Sequence, residues 1–178
     1  MQNPDLNTNE LDNLVKKARQ RDAAALAELC ERYYPRVLKF MRYRVGPGAA
    51  EDLAGEVFAR LMRSIDRQNG RFEPWLYQIA RNVVIDRARR KQTRPESEWD
   101  DSLMNHPAEA TNVAGRLDLE QALTRLNDEQ RELVTLKFLQ GLTNDEIGEV
   151  TGRTAEAVRA LQYRALSALR EVMSHENT

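Results

Sequence analysis

The sequence lacks the features that mark a disulfide-linked, metal-binding or membrane protein. Its 178 residues include one cysteine and two histidines, and no apolar run approaches the ~20 residues that span a bilayer. A single cysteine excludes an intramolecular disulfide and a zinc site built from several cysteines. The N-terminus shows no signal-peptide pattern. We therefore expect a cytoplasmic protein that is not an enzyme, with no cofactor, no membrane insertion and no small-molecule substrate.

Glycine and proline are scarce, and so is the β-branched alternation typical of strands. The chain has 8 glycines and 6 prolines, and nearly every periodic segment shows the 3.6-residue spacing of a helix. We predict an all-α fold. Charged residues make up 31% of the chain but the formal net charge is −1. Any affinity for nucleic acid must therefore come from local basic patches rather than from a global field.

The first half of the chain contains three predicted helices before its most basic segment. They cover Glu10–Gln20 with Asn9 as a cap, Asp22 to Val45, and Ala50–Ile65. Pro35 is expected to kink or divide the second helix, and Gly46-Pro47-Gly48 is a stop signal. Cys30 is expected to be a half-buried thiol.

Phe72–Gln92 is a helical pattern that begins aromatic and ends in a block of arginines. Its apolar face is expected to carry Leu76, Ile79, Ala80, Val83 and Val84, opposite a polar face of Gln78, Asn82, Asp86 and Arg89. A helix with an apolar face, a hydrogen-bonding face and a basic end suits a nucleic-acid strand. It also suits an ordinary surface helix whose arginines lie at its negative C-terminal end. The pattern alone leaves both interpretations open.

The helix before it has an outward charged stripe. Asp52, Glu56 and Arg60 follow one another at i, i+4 and i+8, with Arg63 nearby. By itself this spacing indicates a solvated face with i,i+4 pairing.

Residues 93–115 interrupt the helical periodicity. They contain two prolines and five acidic residues, namely Glu96, Glu98, Asp100, Asp101 and Glu109. We predict a linker between residues 1–92 and residues 116–178. It is either a passive tether or an acidic strand that occupies a basic channel.

The second half predicts four helices, of which the last two form a helix-turn-helix. Arg116–Leu126 and Asp128–Gln140 come first, and the second of them is expected to carry Leu133, Val134, Leu136 and Phe138 on its apolar face. Thr143 and Glu146 then make a capping box for a short helix ending near Thr151-Gly152. Thr154 begins the last helix, whose first turns would enter the major groove. The side chains expected to face DNA are Arg153, Thr154, Glu156, Arg159, Ala160, Tyr163 and Arg164. Because any three-helix bundle produces a similar pattern, a purely structural bundle stays open as the alternative.

Both halves resemble bacterial RNA polymerase sigma factors of the extracytoplasmic-function type, in the sigma-70 family. YYPRVLKFMRYRV, AEDLAGEVFARLMRSI and FEPWLYQIARNVVIDRARR resemble domain two of that family. LTRLNDEQRELVTLKFLQGLTNDEIGEVTGRTAEAVRALQYRALSALR resembles domain four. The likeness covers about Leu26–Lys91 and Arg116–Leu169, with a variable linker where the family has one.

The resemblance assigns a role to each ambiguous face. Domain two would bind core polymerase on the β′ coiled coil through Asp52, Glu56, Arg60 and Arg63. It would recognise and melt the −10 element through Asp66, Arg67, Gln68, Asn69, Arg71, Trp75, Gln78, Arg81, Asn82, Asp86, Arg89, Arg90 and Lys91. Trp75 would either stack on a base or pack in the core. Domain four would contact the polymerase β flap and read the −35 element of promoter DNA through the helix-turn-helix. An anti-sigma factor is the expected regulator.

Three positions depart from the family pattern. Gly55 stands where the docking helix usually has glutamine, and Ala160-Leu161 replaces a serine followed by a basic residue, so the −35 preference does not carry over. Two rival interpretations are a stand-alone helix-turn-helix regulator and an anti-sigma mimic that acts as a scaffold. The first leaves the Asp52/Glu56 and Asn82/Asp86 faces unexplained, and the second does not account for the basic arginines.

Overall fold

The regular secondary structure of the described residues consists of helices. A computed structural model describes residues 8–93 and 122–175, and every regular element within these two stretches is a helix. The predicted all-α fold is confirmed. The predicted linker from residue 94 onward, and the predicted helix at 116–126 as far as residue 121, lie outside the described residues.

Residues 8–93 form the N-terminal bundle. Its elements are α1 (Thr8–Arg19), α2 (Ala23–Val45), α3 (Pro47–Ser64), a 3-10 turn (Ile65–Arg67) and α4 (Phe72–Thr93). The apolar faces of these helices meet in a common core. Its largest fully buried side chains are Leu29, Phe40, Met41, Leu61, Ile65, Leu76 and Tyr77.

Local signals place the ends of these helices. The Asp22 carboxylate accepts a hydrogen bond from the Ala25 amide at 2.8 Å and caps α2, which then runs unbroken through Pro35. Gly46, at φ 83°, ends α2 in a conformation that favours glycine, and Pro47 is already the first residue of α3. Of the two alternatives predicted for Pro35, a division of the helix is therefore wrong, and a kink stays a prediction. The predicted cap Asn9 also lies inside α1, which begins at Thr8.

Cys30 is half-buried, as predicted. Burial raises the pKa of its thiol, so the uncharged form predominates at neutral pH.

Residues 122–175 form the C-terminal bundle. Residues 122–124 are helical, and they are followed by α5 (Asp128–Val134), a π-helical turn (Thr135–Leu139), α6 (Asn144–Thr151) and α7 (Ala155–His175). Reciprocal capping boxes begin α5 and α6. Gly152, at φ 70°, separates α6 from α7. The capping box predicted at Thr143 and Glu146 is confirmed.

A π-helical turn replaces the end of the single helix predicted at 128–140. The Gln140 amide donates to the Thr135 carbonyl at 3.1 Å, an i to i+5 bond. The wider turn changes the direction of the following side chains relative to the 3.6-residue spacing. Phe138, which we predicted on the apolar face, is consequently 53% exposed.

The two bundles share one continuous core in the described residues. Buried side chains of α2, α3 and α4 belong to the same cluster as those of α5, α6 and α7. The C-terminal bundle thus lies directly against α2 and α4. Within residues 8–93 and 122–175, none of the helices combines the length and the apolar composition of a membrane-spanning segment.

Gly148 is required by the tight approach of α6 to the turn that follows it. A Cβ atom built at this position would lie 2.7 Å from the Arg153 carbonyl oxygen, whereas one built at Gly55 of α3 would have no neighbour within 4 Å. Both glycines lie inside helices, so their substitution tests packing separately from helix propensity.

We expect Gly148→Ala to lower the free energy of unfolding by about 1–3 kcal/mol, since backbone atoms must move. Gly55→Ala is the matched control and should raise it by about 0.5–1 kcal/mol through helix propensity. Urea unfolding followed by circular dichroism at 222 nm measures both. Equal effects of the two substitutions would contradict the close approach.

Candidate nucleic-acid and polymerase interface

The loop between α3 and α4 has two buried side chains, Ile65 and Gln68, and exposed polar residues around them. Ile65 is fully buried, and Gln68 is 2% exposed with its amide donating to the Gly70 carbonyl at 2.8 Å. Arg67 and Asn69 are exposed on either side of it. The structure therefore places Gln68, one of the predicted −10 residues, inside the loop, where it supports the loop's shape and does not face solvent.

Arg21 holds Asp66, at the start of this loop, in place. Its guanidinium donates to the Met62 carbonyl at 2.5 Å and to the Asp66 carboxylate at 3.0 Å. Arg21 has φ 64°, a left-handed conformation that is uncommon for a residue other than glycine. The turn between α1 and α2 thus supports the loop, and Asp66 already has a partner. No sequence pattern indicates this contact, because Arg21 and Asp66 are 45 positions apart.

The polar face of α4 is exposed beside the loop. Gln78, Asn82 and Arg89 face solvent, Asp86 is half-buried, and Leu76, Tyr77, Ala80 and Val83 are buried on the opposite side. The predicted division into two faces is confirmed, with Tyr77 as an additional core residue. The exposed row gives an amide hydrogen-bonding surface that runs from the loop toward the basic end of the helix.

Trp75 is half-buried at the start of the same helix. Its ring lies 6.0 Å from that of Phe72, centroid to centroid, and it packs against the core cluster. The structure thus shows the packing role. Base stacking by its exposed part stays a prediction.

Arg60 joins α3 to α4. Its guanidinium lies 2.8 Å from the Asp86 carboxylate and 2.5 Å from the Glu56 carboxylate. The hydrogen bond to Asp86, followed by the one to Glu56, raises the pKa of Arg60. Arg90 of α4 also approaches Glu56, at 3.7 Å. The predicted docking stripe and the predicted strand-binding face therefore meet along one charged edge.

The rest of the docking stripe is open to solvent. Asp52 and Arg63 are exposed on α3, whereas Glu56 and Arg60 between them are half-buried. The middle of the stripe is therefore shared with Asp86 and Arg90 of α4.

The helix-turn-helix has the predicted geometry. The Thr154 hydroxyl accepts a hydrogen bond from the Ala157 amide at 3.2 Å and caps α7. Val158 and Leu161 point into the core. The outward-facing residues of the first turns are exposed, and they are Thr154, Glu156, Arg159, Ala160, Tyr163 and Arg164.

Charges around this helix are already partly paired. Arg153 lies 2.5 Å from the Glu129 carboxylate of α5, and Arg159 lies 3.7 Å from Glu156. The pKa of Glu156 is lowered by its own backbone amide, by the Thr154 hydroxyl and by Arg159. Glu156 is therefore ionised at neutral pH, where it can accept a hydrogen bond from a base edge but repels phosphate.

Two of the predicted −10 arginines contact the C-terminal bundle. Arg71 is paired with Glu146 at 3.2 Å and also with Glu149. The Arg81 Nε atom lies 3.2 Å from Glu132. Sequence reasoning missed these pairs because the partners are separated by 51 residues or more. Among the described residues, no three His, Cys, Asp or Glu side chains are grouped so as to hold a metal ion.

Comparisons with known proteins identify the family of this chain. The sigma-70 region 2 model matches residues 29–94 and the sigma-70 region 4 model matches residues 122–171. The ECF RNA polymerase sigma factor ShbA of Streptomyces griseus subsp. griseus is 33% identical over 181 residues, covering 92% of this chain and 95% of that protein. The chain belongs to the ECF RNA polymerase sigma factors.

Two further comparisons describe its relation to the family. The ECF RNA polymerase sigma factor BldN of Streptomyces coelicolor is 37% identical over 90% of this chain, which spans 64% of the length of that relative. The sigma factor RpoE of Bartonella quintana, solved in complex with the anti-sigma factor NepR, has a TM-score of 0.72 at 21% identity. That comparison covers 83% of this chain and 96% of the solved chain. It supports the fold.

The burial of Gln68 leads to a stability prediction for this sigma factor. Gln68→Ala removes the hydrogen bond to Gly70 and should lower the free energy of unfolding by about 1–2 kcal/mol. Arg67→Ala, one residue earlier and exposed, should change it by less than about 0.5 kcal/mol.

Chemical denaturation of the two variants measures the difference. An unchanged stability of Gln68→Ala together with weaker binding of a single-stranded −10 oligonucleotide would instead make Gln68 a DNA contact.

Proposed function

We propose that this sigma factor binds core RNA polymerase, recognises the −10 and −35 promoter elements and melts the −10 region so that transcription starts. The single observation that carries the melting step is the exposed row of Gln78 and Asn82 on α4. It lies between the polar loop at Arg67 and Asn69 and the basic end of the helix. A stand-alone duplex-binding regulator would need no such row.

The proposed domains keep the boundaries predicted from the sequence. Residues 1–92 would form sigma domain two, 93–115 the acidic linker and 116–178 sigma domain four. The chain itself would not catalyse a reaction, and it would work in the cytoplasm with core polymerase and promoter DNA as partners.

Docking on the β′ coiled coil would use the charged stripe of α3. Asp52 and Arg63 are exposed, and Arg60 is held between Glu56 and Asp86. Because Arg60 links the stripe to α4, a partner that engages the stripe also orients the DNA face. This coupling supports one surface that binds polymerase and positions the strand-binding helix together. The β flap would contact the C-terminal bundle.

Strand separation would proceed without ATP. Unstacking a base costs a few kcal/mol, and a pocket, stacking and phosphate contacts can offset it. The exposed loop residues Arg67 and Asn69 would receive the base, with Asp66 held by Arg21. The arginines and the lysine at the end of α4 would bind phosphates, which makes the affinity fall with salt.

The −35 element would be read as duplex by the first turns of α7. Arg159 and the ionised Glu156 can form hydrogen bonds with base edges. Arg153 and Arg164 can bind phosphates. Ala160 offers only an apolar contact. We also propose regulation by an anti-sigma factor, which the complex of the Bartonella quintana relative supports.

Run-off transcription with purified core polymerase and promoter fragments tests the proposed function. Specific transcripts that need both the polymerase and this chain would support it. Failure of the chain to bind core polymerase would remove it.

Asn82→Ala tests the face assignment on α4. It removes an exposed amide without touching the core, so we expect open-complex formation, measured by permanganate reactivity of the −10 region, to fall at least about ten-fold. Core binding should stay unchanged. The matched control is Asn13→Ala, an exposed asparagine of α1. Normal melting by Asn82→Ala would show that this face does not hold the strand.

Arg164→Ala tests the proposed phosphate contact of α7. It should weaken binding of the holoenzyme to promoter fragments uniformly across −35 sequences and reduce the slope of log affinity against log salt by about 1. Arg125→Ala is the control, because Arg125 is an exposed arginine of the same bundle outside the helix-turn-helix. A change in −35 sequence preference would mean that Arg164 contacts a base.

A further inference from the structure

An arginine from the turn between α1 and α2 reaches the loop between α3 and α4 (the −10 loop, residues 65–71). The Arg21 Nη1 atom donates to the Met62 carbonyl at 2.5 Å, and its Nη2 atom donates to the Asp66 carboxylate at 3.0 Å. One planar guanidinium therefore binds the last turn of α3 and the start of the loop together. The fork of donors on an arginine suits two acceptors at a fixed separation, whereas a lysine presents a single ammonium.

The backbone of Arg21 is held on both sides. Its φ of 64° is left-handed, a conformation that residues other than glycine adopt at a cost and keep only where their surroundings hold them. Its amide donates to the carbonyl of the fully buried Ala18 at 2.9 Å. The next residue, Asp22, caps α2. The guanidinium thus extends from an anchored turn, so it can fix the position of a group that it binds.

The hydrogen bond to Met62 satisfies the end of α3. This helix ends at Ser64, and the last four carbonyls of a helix have no partner within it. Arg21 donates to one of them, at the negative end of the helix, where a positive charge is favourable. The end of α3 is thereby held against the α1–α2 turn, immediately before Asp66.

Asp66 has one carboxylate oxygen held and one open. Arg21 binds the Oδ1 atom. Within the part of the chain that the structure describes, the Oδ2 atom accepts no hydrogen bond, and the Asp66 side chain is 45% exposed. The preceding residue, Ile65, is fully buried and anchors the backbone. The loop therefore offers one carboxylate oxygen to solvent in a defined orientation.

We propose that Arg21 is a positioning residue for base recognition, which orients Asp66 so that its open oxygen accepts a hydrogen bond from the base that enters the −10 loop. This inference rests on the proposed function. An ionised carboxylate only accepts hydrogen bonds. The loop should therefore favour adenine, cytosine or guanine, which carry an exocyclic amino group, over thymine, whose carbonyl oxygens would face the carboxylate.

The ion pair is suited to orienting a side chain rather than to stabilising the fold. The Arg21 and Asp66 side chains are 52% and 45% exposed, and water and salt screen exposed ion pairs. The hydrogen bond to Met62 is exposed as well, so water can replace it. Loss of the guanidinium should therefore leave the bundle folded and act mainly on the orientation of Asp66.

Arg21→Gln in the full-length chain tests the proposal. The holoenzyme formed with core RNA polymerase selects from promoter fragments whose non-template strand is single-stranded and randomised across the −10 element, and the bound strands are sequenced. For the wild-type chain we expect one position at which thymine is disfavoured. Arg21→Gln should reduce that discrimination about five- to ten-fold, the effect of one hydrogen bond, and leave the preferences at other positions unchanged.

Arg19→Gln is the matched control. Arg19 is exposed and lies two positions earlier, so this substitution removes the same charge close to the same turn and should leave the discrimination unchanged. Arg21→Gly removes the guanidinium but suits the left-handed backbone. It should lose the same discrimination even if the glutamine variant folds poorly. Circular dichroism at 222 nm measures the folding of each variant.

Asp66→Ala tests the route through which Arg21 acts. It should lose the discrimination against thymine by itself. Adding Arg21→Gln to Asp66→Ala should cost nothing further, because the effects of residues that act through one another are not additive. A further loss in the double variant would mean that Arg21 contacts DNA directly, and it would overturn the positioning role.

The outcomes separate this inference from the proposed function. Unchanged discrimination in folded Arg21→Gln and Arg21→Gly overturns the positioning role, and so does an equal weakening at every position or the same loss in Arg19→Gln. A wild-type chain that selects −10 sequences but disfavours thymine nowhere overturns the role of Asp66 as an acceptor. A wild-type holoenzyme that selects no −10 sequence removes the proposed function instead.

Discussion

The ion pairs of Glu132 with Arg44 and Arg81 are the contact on which the relation between the two bundles depends. Surface ion pairs contribute little, but this carboxylate is almost fully buried, so losing both arginines would leave a costly unpaired charge. The buried hydrogen bond from the Tyr77 hydroxyl to Gln140 lies beside it and constrains the orientation of the two bundles. Together these groups fix how the C-terminal bundle lies on α2 and α4.

A second charged cluster organises the opposite edge of α4. Arg60 holds Glu56 and Asp86 in one network, so that a surface expected to be two separate stripes is a single edge. The two arginine clusters therefore give α4 two different neighbours. One edge is tied to the docking helix of the same bundle, and the other is covered by the C-terminal bundle. The exposed row of Gln78 and Asn82 lies between them.

Most of the fold could be predicted because it is local. Helix ends follow from short-range signals such as Asp22, Gly46 and the Thr143/Glu146 capping box, and the burial of α4 follows from its spacing. The predictions of the fold that were wrong also have local causes. The π-helical turn changed the direction of Phe138, and α2 accommodated Pro35 within a continuous helix. In the candidate site, the spacing correctly predicted the exposed faces of α4 and α7. Gln68 was predicted to face DNA, but it is buried.

The helices, the two bundles, the helix-turn-helix and the family could all be predicted from the amino-acid sequence, because each depends on spacing within short segments. Which charges meet depends instead on tertiary packing. Arg71 and Glu149 are 78 positions apart, and Arg36 and Gln140 are 104 apart. No periodicity connects residues at such distances. Their pairing depends on how two bundles pack, and the same arginines suit a carboxylate of the chain or a phosphate of DNA.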